Sequence, residues 1–171
     1  LANPTRIGFF NIIENMGADI QWNNMKKEGG EWVGDVHILS QPLNGLHITS
    51  ELIPSVIDEI PIIAILATQA QSPTSIEGAS ELRVKESDRI KAICQNLRSM
   101  GGDIIEKQDG FIINPVDNLN YTHIKTFGDH RIAMAFTIAG LLTLKKNTLD
   151  DETCINISFP EFSKILGQIS N

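Results

Sequence analysis

The sequence predicts an α/β fold in which one unit is used twice. Two observations predict it. Met16-Gly17-Ala18-Asp19-Ile20 and Met100-Gly101-Gly102-Asp103-Ile104 match almost letter for letter at an offset of 84 residues. Two segments rich in Ala and Ile, residues 62–70 and 132–144, each come after an aspartate-led turn, Asp58-Glu59-Ile60-Pro61 and Asp129-His130-Arg131. Both are apolar nearly all round, as buried helices are. The duplication implies pseudo-symmetric α/β packing around a shared helical core.

Taken in order, Asn3-Pro4-Thr5-Arg6 opens an amphipathic helix, with Asn3 as cap and Pro4 in the first turn. Ile7, Phe10, Ile13 and Met16 recur at helical spacing, and Gly17 ends the helix. A strand is expected next, at residues 18–20. In the second copy Ser87 is the expected cap, Arg89, Ile90, Ile93, Leu97 and Met100 mark the helix, Gly101 ends it, and residues 103–105 form the strand. Further strands are expected at residues 36–39, 47–49, 75–77, 111–113, 123–125 and 155–157, punctuated by turns such as Asn44-Gly45 and Asp109-Gly110. Each unit thus reads strand, helix, strand, helix, strand. Residues 23–34, with two Lys and three Gly, read as the least ordered stretch, and residues 160–169 as a final amphipathic helix.

At 171 residues the chain is long enough for one domain with a real core. Its 42% hydrophobic and 20% charged content places it among soluble globular proteins, and no apolar run is long enough to span a bilayer. No membrane association and no targeting leader are expected, and a cytoplasmic location is. The formal charge of −7 argues against bulk attraction to nucleic acid, so any anion site must be a local cationic pocket. Cys94, on an apolar helix face, and Cys154, in a strand-like stretch, read as buried reduced thiols. His37, His47, His123 and His130 lack metal-ligand spacing, so no metal is expected. Nucleotide-binding and nucleophile motifs are absent. The chain opens on Leu1, which reads as a piece of a longer polypeptide.

Two segments carry the chemistry, Lys85-Glu86-Ser87-Asp88-Arg89 and Asp129-His130-Arg131. Each puts cations where a helix begins, against the partial positive charge of a helix N-terminus. An anion held between them would reverse that balance by taking backbone N–H groups and guanidinium together. A solvated charge run is the bland reading of residues 85–89, and a structural hydrogen-bonding residue that of His130. Arg6, with no carboxylate–lysine cluster before it, reads as structural or exposed. Asp58 combines two compatible roles, a helix cap and a carboxylate that faces a ligand hydroxyl as base. Asp129 is its repeat partner and can cap the second helix.

At these residues the sequence resembles a known family. Glu81-Leu82-Arg83-Val84-Lys85-Glu86-Ser87-Asp88-Arg89 and Gly128-Asp129-His130-Arg131-Ile132-Ala133-Met134-Ala135 are similar to signature segments of the EPSP synthases (3-phosphoshikimate 1-carboxyvinyltransferases). Asn3-Pro4-Thr5-Arg6, Ile57-Asp58-Glu59-Ile60-Pro61 and Ser158-Phe159-Pro160 fit as well. The resemblance covers essentially the whole chain but only the C-terminal part of the family's enzyme. It implies repeated βαβαββ units with buried helices, forming one domain of a two-domain enolpyruvyl transferase fold. On that reading residues 1–171 are a single domain, with units near 1–78 and 79–157 and a helix at 160–169. The implied reaction moves the enolpyruvyl group of phosphoenolpyruvate to the 5-hydroxyl of shikimate 3-phosphate and releases phosphate, without metal or cofactor.

Carried over residue by residue, Asp58 resembles the proton acceptor for the shikimate hydroxyl and a contact of shikimate 3-phosphate. Lys85 resembles a contact of the 3-phosphate, and Glu86 an acid/base group near the methylene carbon of phosphoenolpyruvate. Arg89 and Arg131 resemble the arginines that hold phosphoenolpyruvate, with His130 beside them. Where some members carry a lysine before the Thr/Ser-Phe-Pro segment, this chain has Ile157. The family's other ligands lie in an N-terminal domain absent here, which implies a monomeric fragment that is inactive alone. Two alternatives stay open on the sequence. UDP-N-acetylglucosamine enolpyruvyl transferase uses a loop cysteine, which Cys94 does not suit. A non-catalytic anion-binding module is the other, against which the intact Asp58, Glu86, Arg89 and Arg131 stand.

Overall fold

The computed structural model describes residues 7–169. The expected cap at Asn3, the first turn at Pro4 and Arg6 lie outside the described residues. Helix α1 (Gly8–Asn15) buries Ile12 and Ile13 and runs into the fully buried Met16. Gly17 comes next at φ +103°, a conformation that costs glycine little, and turns the chain into β1 (Asp19–Glu28). In the second copy α4 (Arg89–Ser99) buries Ile90, Ile93 and Leu97, runs into Met100, and ends at Gly101 with φ +83°.

The repeat seen in the letters is a repeat of hydrogen bonds. The Asn44 N–H donates to Met16 O at 2.7 Å, and the Asn120 N–H to Met100 O at 2.8 Å. Strands β3 (His47–Ile48) and β4 (Thr74–Ile76) pair in parallel, as do β7 (His123–Ile124) and β8 (Thr148–Leu149). His47 meets Ser75 across the first pair at 2.6 Å, and His123 meets Thr148 across the second at 3.0 Å. The hairpin of β5 (Asp103–Lys107) and β6 (Gly110–Asn114) joins the first pair, giving a four-stranded sheet in the order β3-β4-β6-β5.

Between the strands run α2 (Ile53–Val56) and α3 (Ile60–Ala67) in the first unit, and α5 (His130–Ala139) in the second. Helices α3, α4 and α5 pack on one another through Ile60, Ile63, Ala64, Ile90, Ile93, Ile132 and Phe136, over Ile48, Ile76, Phe111 and Ile124 from the strands. This is the shared helical core that the duplication implies. Helix α6 (Phe162–Ile169) closes a smaller cluster, with Phe162 against Ala133, Cys154 and Ile155. Among the described residues no helix is long and apolar enough to cross a membrane.

Four expectations need correction. Residues 23–34 are not loose: β1 (Asp19–Glu28) and β2 (Glu31–Leu39) form an antiparallel hairpin. Gly29 and Gly30, at φ +60° and +89°, supply the two positive values that a tight hairpin turn requires. Its lysines are outward partners, Lys26 to Glu28 at 2.7 Å and Lys27 over the Trp32 ring, so the charges hid a strand pattern. Residues 155–157 are not a strand but part of a 3-10 turn, Thr153–Ile157. Asp151 starts that turn by accepting from the Thr153 N–H and hydroxyl, and the strand of this region is the earlier β8.

The two apolar helices start two residues earlier than expected and end sooner, at Ala67 and Ala139. Pro61, lacking an N–H, sits in the first turn of α3 where none is needed. After Ala139 the backbone tightens into the 3-10 turn Gly140–Leu142. The cap of α4, finally, is Asp88, which accepts from the Lys91 N–H at 3.0 Å, and not Ser87.

The β5–β6 hairpin meets β4 closely at Gly110, where a side-chain carbon would lie 1.9 Å from Ile76 O. Gly110→Ala is therefore expected to lower the unfolding free energy by about 1–3 kcal/mol, measured by urea titration.

Candidate active site

Arg89 is the first residue of α4, yet its side chain is 1% exposed. A buried guanidinium is tolerable only when its N–H groups and its charge are met. Nε donates to Asp129 Oδ2 at 2.7 Å, Nη2 to Glu86 Oε2 at 2.6 Å, and Nη1 to Asp58 Oδ1 at 3.1 Å. Asp129 is itself fully buried. It caps α5 by accepting from the Arg131 and Ile132 N–H groups, and it accepts from the Ser87 hydroxyl at 3.1 Å.

Burial alone would push the Asp129 carboxyl upward. The bond and charge of Arg89, the Arg131 N–H and the Ser87 hydroxyl outweigh that and hold it below its ordinary value. Burial likewise works against the charge on Arg89, and Asp129, Glu86 and Asp58 raise its pKa in net.

The turn before α5 aims Asp129. Phe127 and Gly128 both have positive φ, +56° and +70°, a conformation uncommon for phenylalanine. Thr126 braces the turn, its N–H and hydroxyl donating to Asp150 Oδ1 at 2.9 and 2.7 Å. On the other side Arg83 anchors the start of α4, donating to both oxygens of Asp88 and to Glu106 of β5.

Asp58 does not cap α3. The preceding residue of that helix is Glu59, in helical conformation, and no side chain caps it. Asp58 instead lies between two arginines, with Oδ1 to Arg89 and Oδ2 to Arg131 Nη2, both at 3.1 Å. Arg131 also donates to the Asp58 carbonyl at 3.1 Å. Asp58, Arg131 and Glu86 are one-third to one-half exposed, so the open side of the cluster faces solvent. Beside it lies a shallow cavity of about 240 Å³, running from Asp58 and Arg131 along Ile62 and Met134 to Phe159.

The structure therefore brings Asp58, Glu86, Arg89 and Arg131 together. Lys85 is exposed and His130 half-buried at the start of α5, and among the described residues neither shares a hydrogen bond or ion pair with the cluster. Asp129 and Glu59, the latter 3.9 Å from Arg131, are partners of the arginines that the sequence does not assign, and Ser87 is a partner of Asp129. A signal for Asp129 is present in the letters, since it is the repeat partner of Asp58. One physical expectation changes. Arg89 and Arg131, at the two helix starts, are balanced by the protein's own carboxylates, with no outside anion needed.

Cys94 lies mid-helix in α4, fully buried, and burial pushes its thiol up to about 12. It is not a loop acid. Cys154 is buried in the 3-10 turn before α6. Among the described residues no group of three or more His, Cys, Asp and Glu side chains is arranged to hold a metal.

The fold and the cluster define an α/β domain of the enolpyruvyl transferase type, with an arginine–carboxylate site where two helix starts meet. The family model described as EPSP synthase (3-phosphoshikimate 1-carboxyvinyltransferase) matches residues 1–166, and the chain belongs to this family. The 3-phosphoshikimate 1-carboxyvinyltransferase of Petrotoga mobilis is 48% identical over 169 residues, and that of a Sulfurihydrogenibium species 44% over 170. These alignments take in 98% and 99% of this chain but 39% of each relative, so the chain spans well under half their length. A solved EPSP synthase from Acinetobacter baumannii matches with a TM-score of 0.91 at 38% identity, over 97% of this chain and 39% of that one. The enolpyruvyl transferase NikO from Streptomyces tendae, at 18% identity and a TM-score of 0.66, shares the fold.

Replacing Arg89 by Met strands a buried carboxylate, and is expected to cost about 3–5 kcal/mol at neutral pH. The Asp129 carboxyl is depressed in the folded state, so the pair's contribution is complete above its ordinary value of 3.8 and disappears as pH falls below it. The gap between wild type and Arg89→Met in denaturant titrations should accordingly close on acidification.

Proposed function

We propose that this chain supplies one half of an EPSP synthase active site, which transfers the enolpyruvyl group of phosphoenolpyruvate to the 5-hydroxyl of shikimate 3-phosphate and releases phosphate. The observation that carries the reading is Asp58 bridging Arg89 and Arg131, one oxygen to each at 3.1 Å. A carboxylate so placed is oriented to take a proton from a hydroxyl, and the guanidiniums around it are suited to an anionic partner. On this reading Asp58 receives the hydroxyl proton and contacts shikimate 3-phosphate. Glu86 serves proton transfer at the methylene carbon, and Arg89 and Arg131, with His130 beside them, hold phosphoenolpyruvate. Lys85, exposed next to the cluster, meets the 3-phosphate.

Residues 1–171 then constitute a single domain of two units, near 1–78 and 79–157, with a terminal helix. The remaining ligands come from the N-terminal domain, in the part of the relatives that this chain does not span. We place the reaction in the cytoplasm, in keeping with two buried free cysteines. UDP-N-acetylglucosamine enolpyruvyl transfer is disfavoured, since Cys94 is buried in α4 and the family match is to the shikimate enzyme.

The test pairs the chain with the complementary part of a family member and measures phosphate release from phosphoenolpyruvate plus shikimate 3-phosphate. Turnover is expected from the pair and not from the chain alone. Asp58→Ala and Arg131→Ala are each expected to lower the rate by about 10²-fold or more. An unchanged rate in both variants would overturn the assignment.

A further inference from the structure

Asp129 is placed to do something no substrate contact requires of it. Its side chain is fully buried, and every partner it has belongs to the arginine cluster or its support. Oδ2 takes the Arg89 Nε–H at 2.7 Å and the Ser87 hydroxyl at 3.1 Å. Oδ1 takes the backbone N–H of Arg131 at 2.9 Å and of Ile132 at 3.4 Å, and lies 3.5 Å from Arg89 Nη2. One carboxylate thus grips the side chain of Arg89 and the backbone that carries Arg131.

The grip has a direction. The Nε–Nη2 edge is the edge a guanidinium most often offers to a carboxylate or phosphate as a two-pronged donor. Asp129 occupies it from the buried side. What remains for the open side is Nη1 and the outer proton of Nη2, where the half-exposed Asp58 and Glu86 now lie. An arginine has four side-chain torsions. A charged contact at the Nε edge, itself fixed by three other donors, leaves the plane of the guanidinium no freedom to turn.

We propose that Asp129, supported by Ser87, is the positioning residue of the phosphoenolpyruvate site: it fixes Arg89 so that only its Nη end faces the substrate, and sets Arg131 beside it. This rests on the function proposed above.

Asp129→Asn keeps an oxygen to cap α5 but has no charge and sets an amide N–H against the Arg89 Nε–H or the Ser87 hydroxyl. In the reconstituted enzyme it should raise KM for phosphoenolpyruvate about tenfold or more, while KM for shikimate 3-phosphate stays within about twofold. Ser87→Ala, which keeps both charges, should raise the same KM by about two- to fivefold. Partial loss of fold would lower kcat and leave both KM values unchanged, and a general distortion of the site would move both KM values together; either result would overturn the proposal. If Asp129→Asn does not fold, Ser87→Ala decides by the same comparison.

A second readout needs no turnover. In NMR spectra of the chain itself, the Arg89 Nε–H should exchange slowly with water in wild type and about tenfold faster or more in Asp129→Asn and, less strongly, Ser87→Ala. Unchanged exchange in both variants sinks the proposal. If the wild-type pair releases no phosphate, the functional reading fails, while the exchange rates still decide whether Asp129 holds Arg89.

Discussion

The structure of this site depends on one buried ion pair, Arg89 with Asp129. Both residues are fully removed from solvent. Taking either charge out of water alone is unfavourable by several kcal/mol, so each is admissible only with the other in place. That requirement fixes the relation between two helix starts. Arg89 begins α4 and Asp129 caps α5, so the pair ties the two elements at their N-terminal ends, while Ile90, Ile93, Ile132 and Phe136 pack them further along. A hydrophobic interface tolerates small slides. A 2.7 Å hydrogen bond between buried charges does not, and it sets the register of the apolar contacts around it.

The duplication explains where the site lies. Asp58 and Asp129 hold equivalent places in the two units, each just before the buried helix. Both end on the same guanidinium, Asp129 from the buried side and Asp58 from the open side. The next few residues of each copy make the difference between them. After Asp129 the chain turns directly into α5, whose first N–H groups need an acceptor and find it in that carboxylate. After Asp58 comes Glu59, already helical, and Pro61, which has no N–H to satisfy. Asp58 is thereby released from capping. One position of the repeated unit is a structural anchor in one copy and a half-exposed carboxylate between two arginines in the other.

Much of this was legible in the letters, and the reasons for the rest are physical. The Met-Gly-x-Asp-Ile repeat located both helix ends, because a glycine with positive φ after an apolar residue is a local signal. Arg89 and Arg131 are legible as candidates because cations at helix starts run against the backbone field, and Asp58 and Glu86 join them through the aspartate-led turn and the family resemblance. The β1–β2 hairpin was not, since its charges sit on the solvent side of a strand exposed on nearly every residue. Nor was the switch from Ser87 to Asp88 as the cap of α4. Both residues can cap, and only the tertiary partner Asp129, which takes the Ser87 hydroxyl, decides between them. The turn at Thr153 was missed for the same kind of reason. Residues 155–157 read as a strand, but Ile155 is buried while Ile157, which would share its strand face, is 76% exposed.

The charge balance of the cluster sets the terms on which it can take an anion. Around Arg89 and Arg131 stand, among the described residues, four carboxylates: Asp58, Glu59, Glu86 and Asp129. Two guanidiniums are outnumbered, so the cluster as it stands does not attract an anion by net charge. Arg89 already commits its Nε–H and donors on both Nη atoms to these carboxylates. An incoming carboxylate or phosphate must take over positions that Asp58 and Glu86 now fill, and each of these then needs a proton, a hydroxyl or another cation in exchange. Lys85, exposed beside Glu86 in the chain, offers one such charge. On the proposed function, two anionic substrates would demand more positive charge than Lys85 supplies. Two guanidiniums held among four carboxylates form a rigid cluster that takes an anion only as those carboxylates are met by protons, hydroxyls or further cations.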